Sequence, residues 1–192
     1  MRIPNRLRLA APAALLFSAS LVVSGCATST TGIEGSRHTL YPDVTSLAAD
    51  SSAVVDVVVE SQEVVQAEIP YTLSTVTVVE PFQPKALAAN LDAAAPVAAA
   101  ETLVIRQLGS TEEVTVPAPL LKVGERYLLF VTATMMEGEA SSQFYVTGVS
   151  AGIYESEIVG EARAGEVGTY TRVDPESGDT LPATLSASEL LG

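Results

Sequence analysis

Histidine, cysteine and tryptophan are nearly missing from this chain: one His, one Cys and no Trp in 192 residues. The single histidine, His38, lies in a polar stretch and reads as an exposed spacer residue, so a Ser/His/Asp or Cys/His apparatus, which needs an imidazole to shuttle the proton, is excluded. Transition-metal centres draw on His and Cys ligands that this chain does not supply. With no second cysteine there is no intramolecular disulfide. Basic residues are also scarce, ten against 23 acids, for a net charge of −13. Such a balance repels phosphate backbones and anionic head groups, so no nucleic-acid partner is expected. The phosphate-binding GxxxxGK[ST] pattern and the GxSxG nucleophile elbow are both absent, and no cofactor or metal is expected.

What is present begins at the amino end. MRIPNRLR carries Arg2, Arg6 and Arg8 without an acid, and the run from Leu9 to Val23 has no charge at all. A basic segment followed by an apolar run shorter than the about 20 residues of a spanning helix has the form of an export signal. The run ends in Val23, Ser24, Gly25 and the lone Cys26. This order resembles the lipobox of bacterial lipoproteins, an aliphatic residue and two small ones before an obligatory cysteine. The resemblance implies that residues 1–25 are a signal peptide and that the Cys26 thiol, the strong nucleophile of the region, receives a diacylglyceryl group. The new amino terminus would carry a further acyl chain such as palmitate. Two chains buried at ~0.8 kcal/mol per CH₂ give on the order of 20 kcal/mol, enough for stable anchoring. Loss of three arginines leaves seven cations against 23 acids, so the lipid and not charge would hold the protein to the extracytoplasmic face of the cell membrane.

Residues 26–42, small and polar, read as a flexible tether. Residues 43–192 read as a single β-rich domain with short flanking helices. DVTSLAADSS fits a short helix capped by Asp43 or Thr45. AVVDVVVES predicts a central strand with Val55, Val57 and Val59 on one face and Val54, Asp56, Val58 and Glu60 on the other. Further strands are expected at Tyr71–Val79, stopped by Pro81 and Pro84, and at Thr102–Leu108, with Leu103 and Ile105 inward and Arg106 and Gln107 nearer solvent or the rim. Two more are expected at Tyr127–Ala133 and Ser142–Val149, followed by a hairpin built from GTYTRVDP and TLPATL. Ser186 and Glu189 have capping-box spacing before a last helical turn. Alanine dominates an insertion at residues 85–101, where two or three helical turns ended by Pro96 are expected.

The order AADSSAVVDVVVES, YTLSTVTVVE, LVIRQLGS, PLLKVGERYLLFVTA and YVTGVSAGIY resembles small actinobacterial exported domains and, more distantly, the netrin-like domain of tissue metalloproteinase inhibitors. That resemblance, over about Leu47 to Tyr154, implies a small OB-like barrel; a sandwich is the alternative. It does not carry the inhibitors' mechanism, because theirs rests on a free amino-terminal cysteine and on disulfides.

Two acidic constellations were weighed. Asp174, Glu176 and Asp179 in DPESGD have oxygen ligands for calcium but depart from the EF-hand pattern, and read as a solvated turn. Glu155, Glu157, Glu161 and Glu166 lie in a Gly-rich stretch with the composition of an exposed loop and read as a charge-rich, solvated face. The expected function is therefore an extracytoplasmic binding or interaction module that captures an envelope protein or a small-molecule ligand, at a barrel mouth or the 85–101 insertion. A carboxylate-based envelope hydrolase and a purely structural lipoprotein are the alternatives.

Overall fold

The computed structural model describes residues 39–88, 96–112, 118–158 and 168–190, all within one compact unit, Thr31–Gly192. The signal, Cys26 and most of the tether lie outside the described residues. The protein is mainly β, with eight strands in one sheet: β1 Ala53–Val65, β2 Tyr71–Phe82, β3 Thr102–Leu108, β4 Arg126–Ala133, β5 Gln143–Val146, β6 Ile153–Ser156, β7 Thr169–Arg172 and β8 Thr184–Ser186. Short helices flank them: α1 Val44–Ala49, α2 Lys85–Ala88 and α3 Ala187–Leu190, with a 3₁₀ turn at Gly138–Ser142 before β5.

The pairings of the first five strands return to their start. β1 pairs with β2 and β2 with β3, both antiparallel; β3 pairs in parallel with β5; β5 and β1 each pair antiparallel with β4. Period-two alternation on every strand then sends one set of side chains to a shared interior. Val55, Val57 and Val59 meet Val76 and Val78, Leu103 and Ile105, Tyr127, Leu129 and Val131, and Phe144 and Val146 in one cluster.

The opposite faces of β1 and β4 are covered as well. Strands β6, β7 and β8 extend the sheet from β4, and with α1, α2 and α3 they bury Val54, Leu128 and Phe130 under Tyr154, Tyr170, Leu185 and Leu47. Because both faces of β4 are buried, its sequence RYLLFVTA is a nearly unbroken apolar run with no alternation. The Phe130 and Tyr154 rings stand 6.2 Å apart at a tilt of 54°.

Burial of a charge on that outer face requires a partner. Asp56 and Arg126 sit diagonally across the β1–β4 pairing, where Asp56 faces Leu128 and Arg126 faces Val58. Arg126 Nε donates to Asp56 Oδ1 at 2.8 Å and Nη2 donates to Oδ2, while the Tyr170 hydroxyl reaches Oδ2 from β7 at 2.6 Å. The aspartate interrupting a valine run is thus where the outer layer is fixed in register.

Several local expectations change. β2 continues through Pro81 to Phe82, because β3 covers β2 only as far as Thr77 and the edge beyond Val78 has no need of the missing N–H. β5 is four residues long, since the 3₁₀ turn takes its expected first residue, Ser142, and the turn with left-handed Gly148 and Val149 takes its expected last three. Gln107 is buried, not near solvent: its amide accepts from Leu121 N–H at 3.0 Å and donates to the Pro119 carbonyl at 3.1 Å. Tyr154, Glu155 and Ser156, read as loop, form β6. Lys85–Ala88 is helical, as expected after Pro84, and residues 89–95, where further turns are expected, lie outside the described residues. Asp43 caps α1 through Ser46 N–H at 2.7 Å, and Glu189 accepts from Ser186 N–H at 2.7 Å to complete the capping box.

The buried tyrosines make the fold sensitive to alkali. Burial, reinforced by the Glu155 carboxylate, pushes Tyr127 up to about 12, and burial pushes Tyr154 up to about 12 against the opposing Arg172 cation. A raised phenol pKa means the folded state keeps a proton that the unfolded chain sheds above its ordinary value near 10. The stabilisation is complete below pH of about 10 and is lost as pH rises through about 12. The part of the tyrosinate absorbance that belongs to Tyr127 and Tyr154 should therefore rise together with the loss of circular dichroism, in a cooperative step above pH of about 11.

Candidate functional site

The chain segments that meet around β5 form a groove of about 760 Å³. α1 ends at Asp50, and the next two serines lead the chain into β1 alongside β4: Ser52 N–H donates to the Val131 carbonyl at 2.7 Å and Ala133 N–H to Ser52 Oγ at 3.1 Å. Between them runs a line of hydroxyls. Thr132 Oγ1 donates to the Asp50 carbonyl at 2.9 Å, so the proton shared at 2.8 Å between Thr132 and Thr147 comes from Thr147. Buried Ser51 lies 3.0 Å from Thr147 Oγ1. Such a directed chain polarises itself and holds the floor rigid.

Tyr41 forms one wall and Tyr145 another. Tyr41 donates its phenol to Asp50 Oδ2 at 3.2 Å, and its ring lies against Gly148, where an added Cβ would stand 2.7 Å from Cε2. Gly148 and Val149 both have left-handed backbones, φ of 66° and 64°, in the turn that leaves β5. For a β-branched residue this is an outlier, and such strain is held in place by its surroundings. Met135, at φ 54°, repeats the pattern at the end of β4 and is 94% exposed. The Tyr145 hydroxyl points to Met136 Sδ at 3.4 Å.

Tyr145 and Val146 also line a smaller hollow of about 220 Å³ on the other side of β5, with Arg106, Leu108 and Val149. There the Arg106 guanidinium stacks on Tyr71, 3.4 Å from the ring centroid, and donates to Gln143 Oε1 at 3.3 Å. Of the eight large apolar side chains exposed among the described residues, four (Leu108, Met135, Met136 and Val149) belong to this region. Scattered exposed apolar residues are ordinary, but a concentration along the two hollows that flank Tyr145 marks a contact surface.

Among the described residues, the acids singled out in the sequence do not converge. Asp179 is consumed inside its own hairpin: Arg172 Nη2 pairs with Oδ2 at 3.0 Å, Ser177 donates to the same oxygen at 2.8 Å, and Tyr41 N–H donates to Oδ1 at 2.7 Å. The DPESGD turn is an internal clasp, and among the described residues no three His, Cys, Asp or Glu side chains group as metal ligands. Glu155 lies in β6 opposite Tyr127; Glu161 and Glu166 lie outside the described residues, as do Val23, Ser24, Gly25 and Cys26. Among the described residues lining the larger groove, Asp50 is the one carboxylate. No signal in the sequence marked Tyr145 or Asp50, since the site depends on two left-handed non-glycine residues that composition does not reveal. Among the described residues no helix is long and apolar enough to cross a membrane. No family model, no curated protein and no solved structure matches the chain.

Proposed function

We propose that this protein is a lipid-anchored extracytoplasmic binding module: an OB-like barrel tethered through an acylated Cys26, with the groove beside Tyr145 as its ligand surface. The observation that carries the binding reading is the gathering of exposed apolar side chains, with the strained Met135 and Val149, around the two hollows that share Tyr145, Met135 at the larger and Val149 and Leu108 at the smaller. Strain of this kind costs about 1–3 kcal/mol per residue and clusters where a surface must hold a ligand-ready shape. Anchoring is supported by the order of basic residues, apolar run and Val-Ser-Gly-Cys. A tether of small polar residues gives the domain reach from the bilayer, and the acidic surface keeps it off anionic head groups.

Mass spectrometry of the membrane fraction tests the anchor. The mature chain should begin at Cys26 and carry acyl mass, and Cys26→Ala should move the protein out of the membrane fraction or leave it unprocessed. A chain cut elsewhere, with a free Cys26 thiol, overturns anchoring.

A further inference from the structure

The ligand class follows from which hydrogen-bonding and charged groups the larger groove presents, an inference that rests on its being the binding surface. Asp50 is its single formal charge among the described residues, and that carboxylate is exposed at the rim. Oδ2 accepts the Tyr41 phenol, while Oδ1 has no partner among the described residues. The neighbouring hydroxyl protons are already directed elsewhere. Tyr41 donates to Asp50, Thr132 to the Asp50 carbonyl and Thr147 to Thr132, so these three hydroxyls turn lone pairs to the groove, and Ser52, which accepts from Ala133 N–H, is the remaining hydroxyl beside them. Facing it is the half-exposed Tyr145, whose ring faces attract cations. Exposed Met135 adds a soft, adaptable apolar contact.

An acceptor-rich wall with a carboxylate, an aromatic ring and a thioether suits a cation on an apolar stem. A phosphate or carboxylate ligand would meet lone pairs on every side of that wall. A neutral sugar would leave the Asp50 carboxylate without a counter-charge. The chain's net charge of −13 favours cations over anions near its surface as a whole. We infer that the groove beside Tyr145 and Asp50 binds an alkylammonium or guanidinium group, the chemistry shared by free polyamines and by basic peptide segments.

The test uses full-length protein in detergent micelles, titrated with 1,5-diaminopentane, tetralysine, a neutral tetramer of N-acetylglucosamine and tetraglutamate, with binding read from NMR shifts of the Tyr145 and Thr132 resonances. Both cationic probes should perturb these resonances, with affinity falling as salt is raised. Asp50→Asn should weaken them at least tenfold, while Tyr145→Phe, which keeps the ring, should stay within about threefold of wild type and Tyr145→Ala should not. Near-ultraviolet circular dichroism of each variant confirms that the fold is intact. Tighter binding of tetralysine than of the diamine, by tenfold or more, identifies a basic peptide as the source; equal binding identifies a free polyamine. Cation binding unaffected by Asp50→Asn and Tyr145→Ala would be diffuse counterion attraction and overturns the inference. Saccharide binding at Tyr145 without cation binding overturns the ligand class but keeps the groove as a binding surface. Silence from all four probes overturns the cation assignment, and leaves anchoring to be decided by the fate of Cys26.

Discussion

Asp56→Ala is expected to lower the unfolding free energy by about 3–5 kcal/mol, the cost of leaving a buried guanidinium without its counterion. Asp56 and Arg126 side chains are 0% and 2% exposed, so water cannot take the place of the lost carboxylate. The pair is also bidentate and tied to Tyr170, which makes three elements depend on one side chain. Tyr170→Phe should cost less, about 1.5–3 kcal/mol, as expected for a hydrogen bond to a charged group. Replacing both charges, Asp56→Leu with Arg126→Met, should restore much of the loss, because the charges are costly to desolvate in the first place. Urea unfolding of the three variants decides the matter. A loss below about 1 kcal/mol for Asp56→Ala would mean that the pair is solvated in solution, and the account of the outer layer given above would fail.

Gly148→Ala should be the most damaging single-methyl change near the groove. A φ of 66° costs an alanine about 1–2 kcal/mol relative to its ordinary conformation. The new Cβ would also lie 2.7 Å from Tyr41 Cε2 and 2.8 Å from Ala151 Cβ, and such crowding adds about 1–3 kcal/mol. Together these predict a loss of about 2–5 kcal/mol in denaturant unfolding. The methyl can be accommodated only if the Tyr41 ring moves, which would break its bond to Asp50 and reshape the groove wall. Adding Tyr41→Ala should therefore recover part of the crowding penalty but none of the backbone strain, and a double-mutant cycle separates the two. Stability unchanged in Gly148→Ala would show that Tyr41 does not occupy this wall.

The strands were legible where the physics was local. Valine and threonine at period two gave β1 to β3, and capping side chains gave α1 and α3 at their correct residues. Errors arose where a distant neighbour decided the outcome. Gln107 looks like a solvent residue until the loop at Pro119–Leu121 passes over it and supplies both amide partners. Glu155 sits among glycines in sequence, yet β4 beside it offers an open edge, and backbone pairing overrides composition. Pro81 would end a central strand, and does not here because β2 is an edge at that point. The candidate groove was the least legible part. It is assembled from α1, β4, β5 and Tyr41, and it is shaped by residues whose backbone conformation no propensity favours.

The clasp between Tyr41 and the β7–β8 hairpin has a consequence in time. Tyr41 N–H reaches Asp179 across 138 residues, Thr180 N–H returns to the Tyr41 carbonyl, and Tyr170 reaches Asp56 across 114. Synthesis delivers the amino end first, so β1 emerges long before the strands that cover its outer face. Pairings of such long sequence separation form slowly, since the chain entropy of closure must be overcome before any contact compensates for it. The valine run of β1 thus waits longest for its cover. Between synthesis of that strand and of β7, it is the segment through which an unfinished chain is most open to association with its neighbours.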